Sequence, residues 1–310
     1  MTERAAPSSV LPSLFLAGTG NEFSNTNAQL PWPITQSSLC HIEAVLDSDH
    51  YQESSYWLAV NIHQMFQTQD NQQFFYGLVI TKAEVMVFMI DHSVAVASQL
   101  CNYCQEPEKI WAIISGLASY KTECTGFDST IFGDGPYMKI RTFEPTEDGV
   151  LTQTHYTIRE NLFQFHSLVG RGTICWRATG LDDSASSFVI KDAWIPAETL
   201  EGRESEGSLL RHIRNQGVVT GVVQMHHSEE VRRGADVANL DTIFHNRRVE
   251  DSCSHDRKLD RVHTRIVMDN HGKPLDRFTT RKELLLAFHD AVLGAQGPAS
   301  LSSMTLNPTR

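Results

Sequence analysis

The sequence predicts an α+β protein in which an antiparallel sheet carries one packed helix and is preceded by a smaller α+β unit. Three observations lead there. Strand-like runs follow one another across short polar turns, instead of alternating with helices as in a doubly wound fold. One amphipathic helix, about Glu204 to Arg214, interrupts that succession after three strands. A chain of 310 residues, 41% hydrophobic and 20% charged, is long and apolar enough to bury two cores of ordinary size.

Taken in order, residues 1–38 are rich in Ser, Thr, Asn, Pro and Gln without a sustained period and read as a disordered leader. The first unit is expected over 39–150. Ser54 to Phe66 has helical periodicity, and Phe74 to Ile80 and Val85 to Ile90 flank a polar turn in the manner of a hairpin. Pro107, between Glu106 and Glu108, marks a helix start whose apolar stripe is Ile110, Ile113, Ile114 and Leu117. Strand-like runs resume at Tyr137 to Phe143 after the three glycines of Thr125 to Pro136. The second unit is expected over 151–294, with strands from Tyr156, at Thr173 to Ala178, Phe188 to Ile190, Val218 to Met225 and Thr264 to Met268, and a closing helix Arg281 to Gly294. The charged stretch 228–260 reads as a solvated insertion, and 295–310 as an irregular tail.

The chemistry concentrates in the second unit. Gly170 and Gly172 lie in Val169-Gly-Arg-Gly-Thr-Ile-Cys-Trp-Arg-Ala178, at the turn between two strands, where a missing Cβ lets backbone amides approach phosphate oxygens. A strand follows them, which excludes the dinucleotide fingerprint, since that needs a helix. The next strand, Phe188-Val-Ile-Lys191, places a lysine after apolar residues, as in the strand lysine that pairs nucleotide phosphates. The succeeding helix offers Glu206 to fix that ammonium, with Glu204 as a competitor.

These stretches, with VIKDAW at 189–194, GVVQMHH at 221–227, RIVMDNHGKPLDRFTTRKELLLAFHDAV at 265–292 and, upstream, FYGLVITKAEVMVFMIDHSVAVAS at 75–98 and GFDSTI at 126–131, resemble the fungal-type protein kinase family. The resemblance runs over roughly 40–295. It implies an ATP-dependent serine/threonine kinase with Gly170 and Gly172 in the nucleotide loop, Lys191 as phosphate clamp, Glu206 as its partner, and Val267, Met268, Asp269 and Asn270 near the adenine hinge. It also implies a kinase-type small lobe whose large lobe is largely missing. Cys175 stands where the family pattern has a third glycine, and Arg177 where a valine covers the adenine. His255-Asp-Arg257, Gly133-Asp-Gly135 and Pro196-Ala-Glu198 are misordered or misplaced substitutes for the catalytic motifs. With no residue assigned to catalysis or to a metal, the expectation is an inactive, truncated kinase-like chain that binds ATP weakly and does not hold magnesium. The alternative is a protein-interaction module in which the kinase-like half is a relic.

A formal charge of −11 without basic clusters argues against nucleic acid. No apolar run is long enough to span a bilayer, so an intracellular location, cytoplasmic or nuclear, is expected without a membrane partner. Six scattered cysteines suit a reducing compartment; the one CxxC, Cys101 and Cys104, lacks a second pair for zinc. His226 with His227, and Cys253 with His255, are equally isolated. A protein partner or self-association is expected through helix 281–294, whose Leu284, Leu285, Phe288 and Val292 need a cover.

Overall fold

The computed structural model describes residues 14–17, 38–45, 50–118, 122–133, 137–145, 151–181, 186–197, 205–217, 221–232, 260–269, 272 and 277–302. These residues form mixed α+β structure with two sheets and four α-helices.

The first sheet has the order β1-β2-β3-β4-β5, with β6 also on β4: Leu14–Ala17 (β1), Ser38–Ala44 (β2), Phe74–Ile80 (β3), Glu84–Asp91 (β4), Ala95–Ala97 (β5) and Cys101–Asn102 (β6). Strands β2 and β3 are parallel, which demands a crossover, and Tyr51–Thr68 (α1) supplies it. Leu58, Ile62, Met65 and Phe66 of α1 pack on Phe75 and Val79, while Pro107–Leu117 (α2) brings Leu117 against Leu78 on the opposite face. Helices on both faces explain why the run from Phe74 to Ile80 is apolar throughout instead of alternating.

The second sheet is antiparallel, in the order β12-β13-β11-β10-β9-β8-β7. Its strands are Ile131–Phe132 (β7), Lys139–Pro145 (β8), Leu151–Gln164 (β9), Ile174–Gly180 (β10), Ser187–Pro196 (β11), Gln224–Glu230 (β12) and Arg261–Asp269 (β13). Between β11 and β12 runs Glu206–Asn215 (α3), whose Leu210 joins Met225, Ile266 and Met268 in one core. The other face buries Ile140, Tyr156, Trp176, Ile190 and Val267. The sheet curls strongly, since the Phe143 amide of β8 donates to the Glu229 carboxylate of β12 at 2.7 Å across several intervening strands.

Several boundaries differ from the sequence reading. The sheet division falls before Ile131, not near 150, because the Tyr137 to Phe143 run pairs with β9 as β8. Within the leader, the apolar run Leu14–Ala17 adds an edge strand, Leu14 opposite Ile42. Strand β12 begins at Gln224, not Val218, and continues into the expected insertion, of which only 228–232 and 260 lie among the described residues. The last helix, Arg281–Ser302 (α4), runs past Gly294 into the expected irregular tail. A proline inside a helix removes one hydrogen bond and not all, and Ala295, Ala299 and Leu301 favour the helix around Pro298. Helix α4 lies so close to the segment before β12 that a Cβ on Gly221 would stand 1.7 Å from the Asp290 carbonyl oxygen. No described helix is long and apolar enough to cross a membrane.

Candidate functional site

Lys191 and Glu206 are brought together. Alternation along β11 sends Ile190, Asp192 and Trp194 to the face buried away from α3, and Lys191 to the face beneath that helix. Ser205 caps α3 by accepting from the Ser208 amide at 3.1 Å, and this fixes Glu206 in the first turn, where a carboxylate also suits the helix dipole. Lys191 Nζ then donates to Glu206 Oε1 and Oε2, both at 2.7 Å. The pair stays open to solvent, the two side chains being 22% and 47% exposed. Beside it a cleft of about 220 Å³ lies between α3 and strands β12 and β13, lined by Ser205, Ser208, Arg211, Ser228 and Thr264. Cys175 faces Lys191 across the ladder; burial pushes its thiol pKa up against the pull of the ammonium. Glu204 lies outside the described residues.

The glycine turn is built for a different neighbour. The Gly170 amide donates to the His92 carbonyl at 2.8 Å, and the Arg171 carbonyl accepts from the Trp194 amide at 2.7 Å. Gly172 has φ +49°, and a Cβ there would stand 2.5 Å from the His92 ring, so only glycine fits. The register sets Cys175 opposite Lys191, while the turn reaches β11 at Trp194, three residues farther on. At about 3.3 Å per residue that separates the turn from Lys191 by roughly 10 Å along the strand. Gly170 and Gly172 thus do not sit over the lysine in this conformation.

The expected adenine-hinge residues divide. Val267 is wholly buried with Trp176 and Ile190, and Met268 is packed under α3, so both side chains belong to cores. Asp269 ends β13, 3.5 Å from His226 Nδ1. Asn270 lies outside the described residues. At the expected adenine roof, Arg177 pairs with Glu160 at 2.8 Å, a polar lid in place of an aliphatic one.

One feature of the second sheet was not found by sequence reasoning. Arg265, fully buried, donates to Asp192 at 2.6 and 2.7 Å, to Asp128 at 3.2 Å, to Thr130 Oγ1 at 2.9 Å and to the Arg141 carbonyl at 3.0 Å. His263 joins Asp192 at 3.0 Å and stacks on Trp194 with ring centroids 4.5 Å apart. Burial alone would raise the Asp192 pKa, but Arg265 outweighs it and holds the carboxyl down to about 2; Arg265 itself is pushed up by its carboxylates against its own desolvation. Asp128, Asp192 and His263 present ligand atoms within 4.8 Å of one another, but the guanidinium already supplies the positive charge there. The available signal was alternation: Lys191 and Asp192 are adjacent on one strand, so one of the two charges had to point into the core.

The model of the family described as fungal protein kinase matches residues 19–297 of the chain. No curated protein and no solved structure shows a match.

Proposed function

The chain belongs to the fungal protein kinase family, and from that premise we propose that Lys191 contacts the phosphates of ATP, that binding is weak, and that this 310-residue chain transfers no phosphate. The carrying observation is the bidentate Lys191–Glu206 pair at 2.7 Å on a solvent-open face. An ammonium has three donors, and a carboxylate that fixes it on one side leaves it able to meet a phosphate on another. The polar Arg177–Glu160 lid and the distance of the glycine turn support weak affinity. No histidine-arginine-aspartate run occurs in the sequence, so the reading assigns no residue to orient an acceptor hydroxyl and none to hold magnesium.

A titration with the fluorescent nucleotide mant-ATP tests the binding: saturable binding is expected, weakened at least about tenfold, or 1.4 kcal/mol, by Lys191→Ala. Equal binding by both proteins, or none, would overturn the reading. Radiolabelled ATP with generic protein substrates tests the chemistry. No incorporation is expected, and incorporation that Lys191→Ala abolishes would contradict inactivity.

The α4 surface supports a second element of the reading. Leu285, Leu286, Phe288 and Val292 are all at least half exposed, an apolar face that a protein partner or a second copy of the chain would cover.

A further inference from the structure

The contact between the two sheets suggests a use for the upstream unit. Asp91 Oδ1 accepts from the Ser93 and Val94 amides at 2.7 and 3.0 Å, which fixes a tight turn after β4 with His92 at its apex. That residue grips the glycine segment three ways: its carbonyl accepts from the Gly170 amide, its Nδ1 lies 3.1 Å from the Leu168 carbonyl oxygen, and its ring occupies the space a side chain on Gly172 would need. The grip is itself braced. Phe66 of α1 packs on the His92 ring with centroids 4.5 Å apart, Gln164 Nε2 donates to the Phe66 carbonyl at 2.8 Å, and Arg261 Nε donates to Ser93 Oγ at 3.0 Å.

We propose that His92 is a latch, holding the glycine turn on the first sheet and away from Lys191, so that full nucleotide binding requires the turn to be released. This rests on the reading of Lys191 as the phosphate contact. In the latched state the Gly170 amide is occupied and the turn lies three residues along β11 from the lysine. Neither the amide nor the turn can then surround a phosphate held at Lys191. A nucleotide that needs the released state binds with an affinity reduced by the fraction of molecules in that state, so weakening the latch tightens binding.

The test uses the full chain with His92→Ala. Hydrogen exchange of the amides in 168–173 is expected to accelerate at least about tenfold, because the ring's contacts with Leu168 and Gly172 are lost and only the backbone bond from Gly170 to the residue 92 carbonyl is left to hold the segment. Affinity for mant-ATP is expected to rise about threefold or more, and Lys191→Ala in the same background should abolish the gain. Should His92→Ala fail to fold, Gly172→Ala attacks the contact from the other side by driving a Cβ into the ring. Unchanged exchange overturns the latch. Faster exchange with unchanged or weaker affinity overturns its regulatory role. Faster exchange with no mant-ATP binding by any variant overturns the nucleotide reading and the regulatory role together, leaving the contact as architecture only.

Discussion

Lys191 and Asp192 are neighbours on one strand, and each belongs to an ion pair, yet the two pairs have opposite character. Asp192 faces the closed side of the sheet, where Arg265 is wholly buried among Asp192, Asp128 and Thr130 and every distance is that of a committed hydrogen bond. Lys191 faces the open side, where Glu206 holds it at 2.7 Å with solvent alongside. A buried pair costs several kcal/mol of desolvation per ion and is retained only when its geometry is complete. An exposed pair contributes little to stability, with a median of about 0–1 kcal/mol. One face of β11 thus fixes the fold, while the other leaves a paired charge at the surface, where the proposed nucleotide would meet it.

The sharpest break of that comparison is Arg265→Met. It leaves Asp192 and Asp128 as buried carboxylates without their cation, and the expected loss is about 3–5 kcal/mol. Urea denaturation reads it as a large fall in midpoint or as failure to fold. A midpoint within error of the parent chain would mean that the network is ornamental.

Acid should separate the interface latch from the core network. Burial, with Arg261 and His263 adding to it, lowers the His92 pKa to about 4 from an ordinary 6.5. Since the folded state then binds fewer protons than the unfolded one, the contribution of neutral His92 is complete above pH 6.5 and is lost as pH falls toward about 4. The expected loss is about 3 kcal/mol. Asp192 is lost in the same direction but lower on the scale: its depressed pKa of about 2 against an ordinary 3.8 keeps its contribution intact above pH 3.8 and removes it only below. Stability followed from pH 7 to pH 2 should therefore fall in two stages, and His92→Ala should abolish the first. A single stage below pH 4 would contradict the assignment of His92.

Much of this was legible in the residues themselves. The run Phe188-Val-Ile-Lys191 and the acidic start of the following helix sufficed to bring Lys191 to Glu206, because strand alternation and a capped helix are local properties. What stayed hidden was long-range. Arg265 gathers Asp128 from a loop well over a hundred positions earlier in the sequence, and no local period encodes that meeting. The glycines illustrate the same limit. Their place at a turn between two strands was readable, but their neighbour is His92 of the other sheet, so the phosphate-cradling role inferred from sequence meets a packing role in the fold. Propensity misled at α4, where Gly297 and Pro298 signal an end that the helix passes through.

Effects on α4 are expected to fall on association and not on folding. Replacing Leu285 and Val292 by lysine removes exposed apolar surface only, so the denaturation midpoint should barely move, within about 0.5 kcal/mol. Sedimentation of the parent chain should show self-association, or retention of a copurified partner, that the double variant loses. A parent chain that is already a lone monomer without any partner would contradict the proposed cover.

The most direct test of the two-faced strand is the thermal melting of Lys191→Ala with and without ATP. The variant is expected to melt like the parent chain, because an exposed pair is worth less than about 1 kcal/mol, and to lose the stabilisation that ATP gives the parent. A variant that melts far below the parent would make Lys191 another structural charge, and one that keeps the ATP shift would remove it from the site; either result contradicts the account.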